Sequence, residues 1–241
     1  MKAMILAAGR GERMKPLTDN CPKPLLTVRG IPLIEYHINA LAKIGISEIV
    51  INHAWLGQKL IDYLGDGSQW QVKIHFSEEH QALETAGGII KALPLLGNDP
   101  FLIVNGDVFT DFDFNDIPVL PTDKLAHLWL VNNPVHNLAG DFGIKDGLLQ
   151  NIGANAEGDQ RQKSYTYSGI ALFKPNFFKQ EFLEQSHFTH DPECLDKGTS
   201  LTLAPLLRMM AEKNKITANV LSATWTDVGT PERLAQLNGV T

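Results

Sequence analysis

Residues 6–26, LAAGRGERMKPLTDNCPKPLL, combine two glycines with four cations directly after the first apolar run of the chain. Glycines in that place let the backbone approach a phosphate or a nucleotide closely, with free N–H groups as donors. The glycines are Gly9 and Gly11, and the cations are Arg10, Arg13, Lys15 and Lys23. This stretch is therefore the first candidate for an anion-binding loop.

Two well-known phosphate-binding motifs do not fit the stretch. A Walker loop requires a lysine followed by a serine or threonine after its second glycine, and no such pair is present. The dinucleotide-binding fingerprint requires a third glycine where Met14 stands. The loop must then bind an anion in some other way, or it is a solvated basic loop.

Arg13 and Lys23 lie ten residues apart in the loop. Two cations at different points of one long loop can meet two separated anionic groups, and the prolines on either side of Lys23 stiffen the backbone that presents it. The position after the first strand favours a binding site over a solvated loop. We expect Arg10 and Lys15 to be solvated neighbours.

Composition limits the possible functions. The chain has 241 residues, of which 44% are hydrophobic and 20% charged, as in a globular protein rather than a disordered one. We expect a single domain over 1–241. The net charge of −6 argues against broad binding of nucleic acids or anionic membranes. No apolar run approaches the ~20 residues of a membrane span, so we expect a cytoplasmic protein.

The cysteines and histidines provide little evidence of a metal site or a disulfide. Cys21 and Cys194 form no disulfide framework in a chain of this size, and we expect both to be reduced thiols. His187, His190 and Cys194 are spaced like zinc ligands, but a fourth ligand is not evident. We expect a solvated loop there.

The elements that must position these residues follow from the hydrophobic pattern. Strand and helix patterns alternate up to about residue 108, which is typical of βαβ units and a parallel sheet. Later strand patterns are separated by glycine-marked turns, which indicates an antiparallel or mixed extension of the sheet. We predict strands over 2–8, 48–52, 71–77, 100–107, 125–133, 140–153, 164–174 and 216–222, and helices over 32–45, 54–67, 87–96 and 201–214. We also predict a loop over 185–200 and, within 224–237, a strand end followed by a short helix. The fold class is therefore α/β with a mixed, mainly parallel central sheet.

Residues 6–34, LAAGRGERMKPLTDNCPKPLLTVRGIPLI, closely resemble the signature of the sugar-1-phosphate nucleotidylyltransferases, LAAGxGxRxxPLTxxxPKPL. LETAGGI (83–89), VNGDVFTD (104–111), YSGI (167–170) and WTDVGTPERL (225–234) extend the resemblance over nearly the whole chain. The resemblance implies a Rossmann-like three-layer nucleotidyltransferase fold. It also implies a Mg²⁺-dependent reaction of a nucleoside triphosphate with a sugar 1-phosphate, which releases pyrophosphate.

Within this family, INHAWLG (51–57), LETAGG and WTDVGT are most similar to the members that uridylylate N-acetylmuramate 1-phosphate during cell-wall recycling. The substrates would then be UTP and that sugar phosphate. Two alternatives remain open. One is the same chemistry with mannose 1-phosphate and GTP or with glucose 1-phosphate and TTP or UTP. The other is a regulatory subunit that binds nucleotide without turnover.

This reaction needs no protein base, because a phosphate monoester has its second pKa near ~6 and is already ionised at neutral pH. It needs positioning, cations and metal at the α-phosphorus. The resemblance places Lys23 at the reacting centre and Arg13 on the triphosphate, as the catalytic pair. The expected nucleotide-binding residues are Ala8, Gly9, Gly11, Glu12, Arg13, Lys23, Glu84, Thr85 and Gly88. Glu84 stands where relatives usually carry glycine, and Glu79 is a weaker candidate for the base edge.

Asp107 and Asp227 each follow an apolar run, where an aspartate alone is as readily a turn or capping residue. Two carboxylates from distant strand ends suit Mg²⁺, which otherwise takes waters and substrate phosphates as ligands. The resemblance maps both to metal ligands. We expect Asp111 and Asp113 to be solvated or capping.

For the sugar we expect carboxylate, amide and hydroxyl groups beside a glycine that allows close approach. The candidates are Asn105, Asp141, Tyr167, Ser168 and Gly169. Asp141 could equally be a turn residue, and Ser168 a half-buried strand position. No group for a lactyl carboxylate is evident, because the loop cations Arg161, Lys163 and Lys197 are better explained as solvated charges.

Overall fold

The structure is a computed structural model that describes residues 1–81, 83–152, 163–179 and 200–239. Several predictions concern residues outside those ranges. They are the supposed zinc-like cluster at His187, His190 and Cys194, the cations Arg161 and Lys197, and nearly all of the loop predicted over 185–200.

The first half of the chain alternates strands and helices, as the hydrophobic pattern predicts. The elements are β1 (Ala3–Leu6), β2 (Thr27–Val28), β3 (Ile31–Pro32), α1 (Leu33–Lys43), β4 (Glu48–His53), α2 (Gly57–Leu64), β5 (Lys73–Glu78), α3 (Glu84–Leu96) and β6 (Phe101–Asn105). The helix α1 buries Leu33, Ile34, His37, Ile38 and Leu41, a spacing that forms one apolar face.

The second half is richer in strands. It contains β7 (Val108–Thr110), β8 (Ala126–Val131), β9 (Phe142–Lys145), β10 (Leu148–Asn151), β11 (Ser164–Phe173), α4 (Leu203–Glu212), β12 (Ile216–Val220), β13 (Trp225–Asp227) and α5 (Pro231–Leu237). The segment predicted as strand-like over 140–153 is a hairpin of β9 and β10. Its turn residues Asp146 and Gly147 both have positive φ, as a two-residue hairpin turn requires.

Nine strands form one sheet in the order β5-β4-β1-β6-β11-β8-β12-β10-β9. Strand β1 pairs in parallel with β4 on one side and with β6 on the other. Strand β11 is antiparallel to β6 and β8, and β10 is antiparallel to β12 and β9. The sheet is therefore mixed, and β10 and β11 run against the direction of its other described strands. The predicted mixed, mainly parallel sheet is confirmed.

Helices cover both faces of the sheet and make three layers. Ala3 and Ile5 of β1 belong to the apolar cluster that contains α1 and α2, whereas Met4 belongs to the cluster that contains α3 and α4. This alternation follows from the period of two in a strand. Each fully buried Ile or Leu in these clusters contributes about 1.5–3 kcal/mol of hydrophobic stabilisation.

Two short, two-stranded sheets lie outside the main sheet, and one of them carries a residue of the candidate site. Strands β2 and β3 pair as a hairpin just before α1. Strand β7 pairs antiparallel with β13 and brings the chain after β6 beside the chain before α5. The sequence pattern did not predict either short pairing, because two or three residues are too few to show a period.

Helix α3 starts at Glu84, three residues before the predicted start at 87. The helix predicted over 54–67 is shorter in the structure, where it spans only Gly57–Leu64. Within the described ranges, no helix is long and apolar enough to cross a membrane.

Candidate active site

The glycine loop leaves β1 and turns sharply at Gly11, whose φ of 66° lies in the left-handed region that favours glycine. A Cβ at Gly11 would lie 2.9 Å from Thr18 Cγ2. The Thr18 hydroxyl donates a hydrogen bond to the Gly11 carbonyl at 2.8 Å. Both conformation and space therefore require glycine here, and Arg13 is carried exposed on the turn that follows.

Lys23 and Asp107 meet although they lie 84 residues apart in the chain. Lys23 opens a 3-10 turn after Pro22, and its side chain is only 10% exposed. Its Nζ lies 2.6 Å from Asp107 Oδ2. Asp107 lies just beyond the carboxyl end of β6, where open α/β sheets bind their ligands. The predicted cation and the predicted carboxylate thus form one ion pair.

Asp107 and Asp227 lie on neighbouring segments. In the β7–β13 pairing Asp227 stands opposite Val108, and the Val228 N–H donates to the Asp107 carbonyl at 2.8 Å. The described residues contain no cluster of three or more His, Cys, Asp or Glu that could hold a metal. Two carboxylates on adjacent segments nevertheless fit Mg²⁺, a hard cation that takes few protein oxygens and completes its shell with water and phosphate.

The Asp227 carboxylate already has two partners. Arg233 Nη1 donates to Oδ2, and also to the Asp227 main-chain carbonyl at 3.1 Å. His136 Nε2 lies 3.2 Å from Oδ1. Arg233 belongs to the first turn of α5, and His136 to the loop between β8 and β9. Two distant parts of the chain, the β8–β9 loop and the β13–α5 segment, therefore meet at one carboxylate.

A buried polar network lies at the other end of the loop. Asn52 Oδ1 accepts from the Ala7 N–H at 2.8 Å, and Asn52 Nδ2 donates to Glu79 Oε1 at 2.6 Å. Burial raises the pKa of Glu79, although its hydrogen bond from Asn52 works against that shift. A Cβ at Gly88 would lie 2.6 Å from Glu79 Oε1. Glycine at position 88 therefore leaves the space that the Glu79 carboxylate occupies.

Helix α3 presents its first turn to the same site. Glu84, the residue that stands where relatives usually carry glycine, has φ 57° in the left-handed region. The N–H groups of Ala86 and Gly87 both donate to the Leu201 carbonyl, at 2.9 and 3.2 Å. Leu201 thus caps two of the otherwise unpaired donors of α3.

These parts enclose a cavity of about 490 Å³, a size typical of small-molecule sites. Of the predicted residues, it is lined by Ala8, Gly9, Gly11, Glu12, Arg13, Lys23, Glu84, Thr85, Asn105 and Asp107. Gly229 also lines it, two positions after Asp227.

The predicted sugar residues lie around β11. Asp141 Oδ2 accepts from the Tyr167 N–H at 2.9 Å, and its Oδ1 accepts from Asn137 Nδ2 at 3.1 Å. Gly169 has φ 79°, and a Cβ there would lie 2.7 Å from the Asn105 side chain. Asn105 thus needs glycine opposite it.

The hydroxyl groups of Tyr167 and Ser168, in the YSGI segment, are both enclosed by the protein. Ser168 is fully buried, and its hydroxyl donates to the Trp129 carbonyl at 2.6 Å and accepts from the Ile170 N–H at 3.1 Å. The Tyr167 hydroxyl is enclosed, has no hydrogen-bond partner among the described residues, and has its pKa raised by burial. The Ser168 hydroxyl therefore links β11 to Trp129 of β8, and it both donates and accepts a hydrogen bond within the protein.

The remaining loop charges behave as solvated neighbours. Exposed Arg10 stacks 5.3 Å from the Trp55 ring, and Lys15 pairs with Glu12 at 2.6 Å. That lysine lowers the pKa of Glu12. Exposed Lys163 lies 5.0 Å from the Tyr165 ring.

The two aspartates beyond β6 are exposed and accept hydrogen bonds from main-chain N–H groups. Asp111 Oδ1 accepts from the Thr224 N–H at 2.7 Å. Asp113 caps a 3-10 turn through the Asn115 N–H at 3.1 Å, which lowers the pKa of Asp113. The expectation for both residues is confirmed.

Three residues at the site escaped the sequence analysis. Asn52 ends an apolar strand, so the strand-end rule that selected Asp107 would have selected it as well. His136 and Arg233 carry no such signal, since one lies in an irregular loop and the other on a short helix.

Comparison with known proteins gives the same family. The model of the nucleotidyl transferase family matches residues 2–240. A Neisseria meningitidis serogroup B protein named N-acetylmuramate alpha-1-phosphate uridylyltransferase is 47% identical over 98% of this chain and 96% of its own length. A rice protein (Oryza sativa subsp. japonica) named as a probable mannose-1-phosphate guanylyltransferase is 28% identical over 96% of this chain, which spans only 62% of that relative.

Two solved structures share the fold. A Bacillus anthracis protein described as a glucose-1-phosphate thymidylyltransferase superposes with a TM-score of 0.77 at 22% identity, covering 100% of this chain and 94% of the other. HddC from Yersinia pseudotuberculosis gives a TM-score of 0.72 at 20% identity and covers 99% and 98%. With the family model matched over residues 2–240, this chain belongs to the nucleotidyl transferase family.

Proposed function

We propose that this protein transfers a uridylyl group from UTP to N-acetylmuramate 1-phosphate and gives UDP-N-acetylmuramate and pyrophosphate. The observation that carries this proposal is the 47% identity to the Neisseria uridylyltransferase over nearly the full length of both chains. The match of the family model to 2–240 supports one nucleotidyltransferase domain over 1–241. Because UTP is an intracellular metabolite, we place the reaction in the cytoplasm.

The loop after β1 would hold the nucleotide. Gly9 and Gly11 keep the backbone free of side chains beside the cavity, and Arg13 supplies positive charge for the triphosphate. The base end would lie at Thr85 and Glu79, because both line the cavity and neither is a cation that a phosphate would take. A carboxylate held by Asn52 can accept from the N3–H of uracil.

The reaction is an in-line displacement at the α-phosphorus. An ionised oxygen of the sugar phosphate forms a bond to that phosphorus while the bond to the β-phosphate oxygen breaks, and pyrophosphate leaves with the electron pair. Lys23, already held 2.6 Å from Asp107, would stabilise the charge that develops on the α-phosphate oxygens.

Asp107 and Asp227 would hold Mg²⁺, which supplies charge neutralisation and orientation of the triphosphate when it is bound. The β7–β13 pairing supports this assignment, because it keeps the two aspartates on adjacent segments. Asn105 and Asp141 would accept hydrogen bonds from sugar hydroxyls.

The test is pyrophosphate release by the purified protein, measured with every pairing of UTP, TTP and GTP with the 1-phosphates of N-acetylmuramate, N-acetylglucosamine, glucose and mannose. We expect the largest kcat/KM for UTP with N-acetylmuramate 1-phosphate. A larger value for another pairing would overturn the substrate assignment and leave the family standing. Nucleotide binding without pyrophosphate release from any pairing would indicate the regulatory alternative.

A further inference from the structure

Asp227, Arg233 and His136 form an ion cluster. A role of Asp227 as a metal ligand does not explain why an arginine and a histidine both contact it. One carboxylate is shared by Arg233 and His136, and Arg233 Nη1 lies 3.5 Å from His136 Nε2. The Arg233 side chain is only 18% exposed. A guanidinium in that position depends on a counter-ion, because leaving it unpaired and partly buried is strongly unfavourable.

Asp227 cannot keep both partners and also bind a divalent cation unchanged. Each of its oxygens already faces one of the two partners. Mg²⁺ takes its ligands at about 2.0–2.1 Å in a strict octahedral geometry, and it repels a cation on the same oxygen. A divalent cation on these oxygens would therefore weaken the contact between Arg233 and the carboxylate, and the guanidinium would gain from a further anion.

The place of the cluster indicates which anion that is. A Cβ at Gly229 would lie 3.1 Å from Arg233 Nη1, 3.1 Å from Asp227 Oδ2 and 3.4 Å from Arg13 Nη2. Gly229 lines the cavity, so glycine keeps open a space that these three side chains border. Arg233 thus lies beside the cavity wall at Gly229, near Arg13.

His136 connects the cluster with the other end of the site. It precedes Asn137, whose amide donates to Asp141, a candidate for sugar binding. The triphosphate already has Arg13, Lys23 and the glycine loop as partners. The cluster therefore lies near Arg13, the residue proposed for the triphosphate, on one side and is next in sequence to a contact of Asp141, a residue proposed for the sugar, on the other, so an anionic acceptor would pass it.

We propose that Arg233 and His136, which both contact the Asp227 carboxylate, form an anion site for the acceptor, and that they would turn to it when a divalent cation competes for the Asp227 oxygens. The proposal rests on the proposed function for the identity of the acceptor. The shared chemistry is an anionic oxygen pair, supplied either by the 1-phosphate or by the lactyl carboxylate of a muramyl sugar. Arg233 is then a binding residue in both cases and a specificity residue only if the anion is the lactyl carboxylate.

The experiment measures acceptor kinetics for the wild type, Arg233→Gln, Arg233→Lys and His136→Gln. Glu232→Gln is the matched control, because Glu232 is the exposed neighbour of Arg233 on α5. We expect Arg233→Gln to raise the KM for the acceptor tenfold or more, as expected for the loss of a charge-assisted hydrogen bond, and to change the KM for UTP less than threefold. His136→Gln should raise the acceptor KM less, and Arg233→Lys should restore part of the loss.

A comparison of two acceptors identifies the source of the anion. If Arg233→Gln impairs N-acetylmuramate 1-phosphate and N-acetylglucosamine 1-phosphate equally, the site binds the 1-phosphate. A loss confined to the muramyl acceptor assigns it to the lactyl carboxylate. Equal increases in the KM for UTP and for the acceptor, or no increase in either, would overturn the anion site.

Two binding measurements test the proposal without turnover. Calorimetry with N-acetylmuramate 1-phosphate, Mg²⁺ and a UTP analogue bridged by an α,β-imido group should show weaker acceptor binding in Arg233→Gln than in the wild type. Binding of Mn²⁺ with the same analogue, followed by electron paramagnetic resonance, should be as tight or tighter in Arg233→Gln, because Asp227 has lost a competing cation. Weaker Mn²⁺ binding together with unchanged acceptor binding would show that Arg233 only positions Asp227. The acceptor titration remains informative even if the wild type proves inactive, so the failure of each proposal is recognisable.

Discussion

The ion pair between Lys23 and Asp107 joins the glycine-loop segment to the end of β6 before any substrate is present. The Nζ to Oδ2 distance of 2.6 Å and the low exposure of Lys23 fix the ammonium group at the cavity wall. A group that is already positioned needs little reorganisation when charge develops during the reaction, which is the main source of electrostatic catalysis. The segment between Pro22 and Pro24 therefore serves to place a single charge.

At the residue scale, Lys23→Ala should lower kcat by about 100-fold or more, the usual effect of removing one preorganised donor. The fold should remain intact, since the pair is partly exposed and the core clusters do not include Lys23. Pyrophosphate release and thermal unfolding by circular dichroism measure the two quantities. Lys15→Ala is the control, because Lys15 is an exposed cation of the same loop and pairs only with nearby Glu12. A kcat for Lys23→Ala within threefold of the wild-type value would remove Lys23 from the mechanism.

Residues that end apolar strands could be predicted, and residues fixed by loop packing could not. Asp107 follows a continuous apolar strand, and the topology of a parallel sheet then places it at the ligand-binding edge. His136 lies in the irregular segment NNPVHNLAGD, where no period indicates its direction. Its position depends on how the β8–β9 loop packs near α5, which is a tertiary effect. The proposed metal ligand Asp107 and the proposed acceptor residue His136 therefore differ in how far the sequence could reveal them.

At the element scale, the start of α3 carries conformational strain. Glu84 adopts φ 57°, which disfavours a residue with a side chain by about 1–2 kcal/mol. Ala86 and Gly87 donate to Leu201, and Leu201 in turn donates from its own N–H to the Leu83 carbonyl at 2.8 Å. These hydrogen bonds keep the first turn of α3 in place against the strain.

Glu84→Gly should therefore stabilise the protein by about 0.5–1 kcal/mol, because relief of the strain exceeds the added entropy of the unfolded chain. Glu212→Gly, the same substitution in the last turn of right-handed helix α4, is the control and should destabilise the protein by about 1 kcal/mol, because it adds entropy to the unfolded chain and removes the hydrogen bond from Asn151 Nδ2. Urea unfolding at pH 7.5 measures both changes. Equal destabilisation by the two substitutions would contradict strain at Glu84.

At the scale of the whole molecule, several buried histidines link stability to pH. Burial lowers the pKa of His37 to about 4, although a hydrogen bond to the Val108 carbonyl and the charge of Asp107 act in the opposite direction. Burial also lowers the pKa values of His53 and His127. His37 is 1% exposed on α1 and contacts the segment that carries Asp107 through its hydrogen bond to Val108. Protonation of His37 would therefore disturb the core and the site together.

The pH dependence of stability follows from the sign of that shift. Between pH 6.5 and about 4 the unfolded chain binds a proton at His37 that the folded protein does not, so the free energy of unfolding must fall as the pH falls. From pH 7.5 to pH 5 this one group should remove about 2 kcal/mol. Urea unfolding of the wild type and of His37→Gln at both pH values isolates the contribution, because carboxylate titrations common to both proteins cancel. His80→Gln, which replaces an exposed histidine, should retain the wild-type loss. The same loss in His37→Gln as in the wild type would mean that His37 titrates normally, and the acid sensitivity would then have to arise elsewhere in the core.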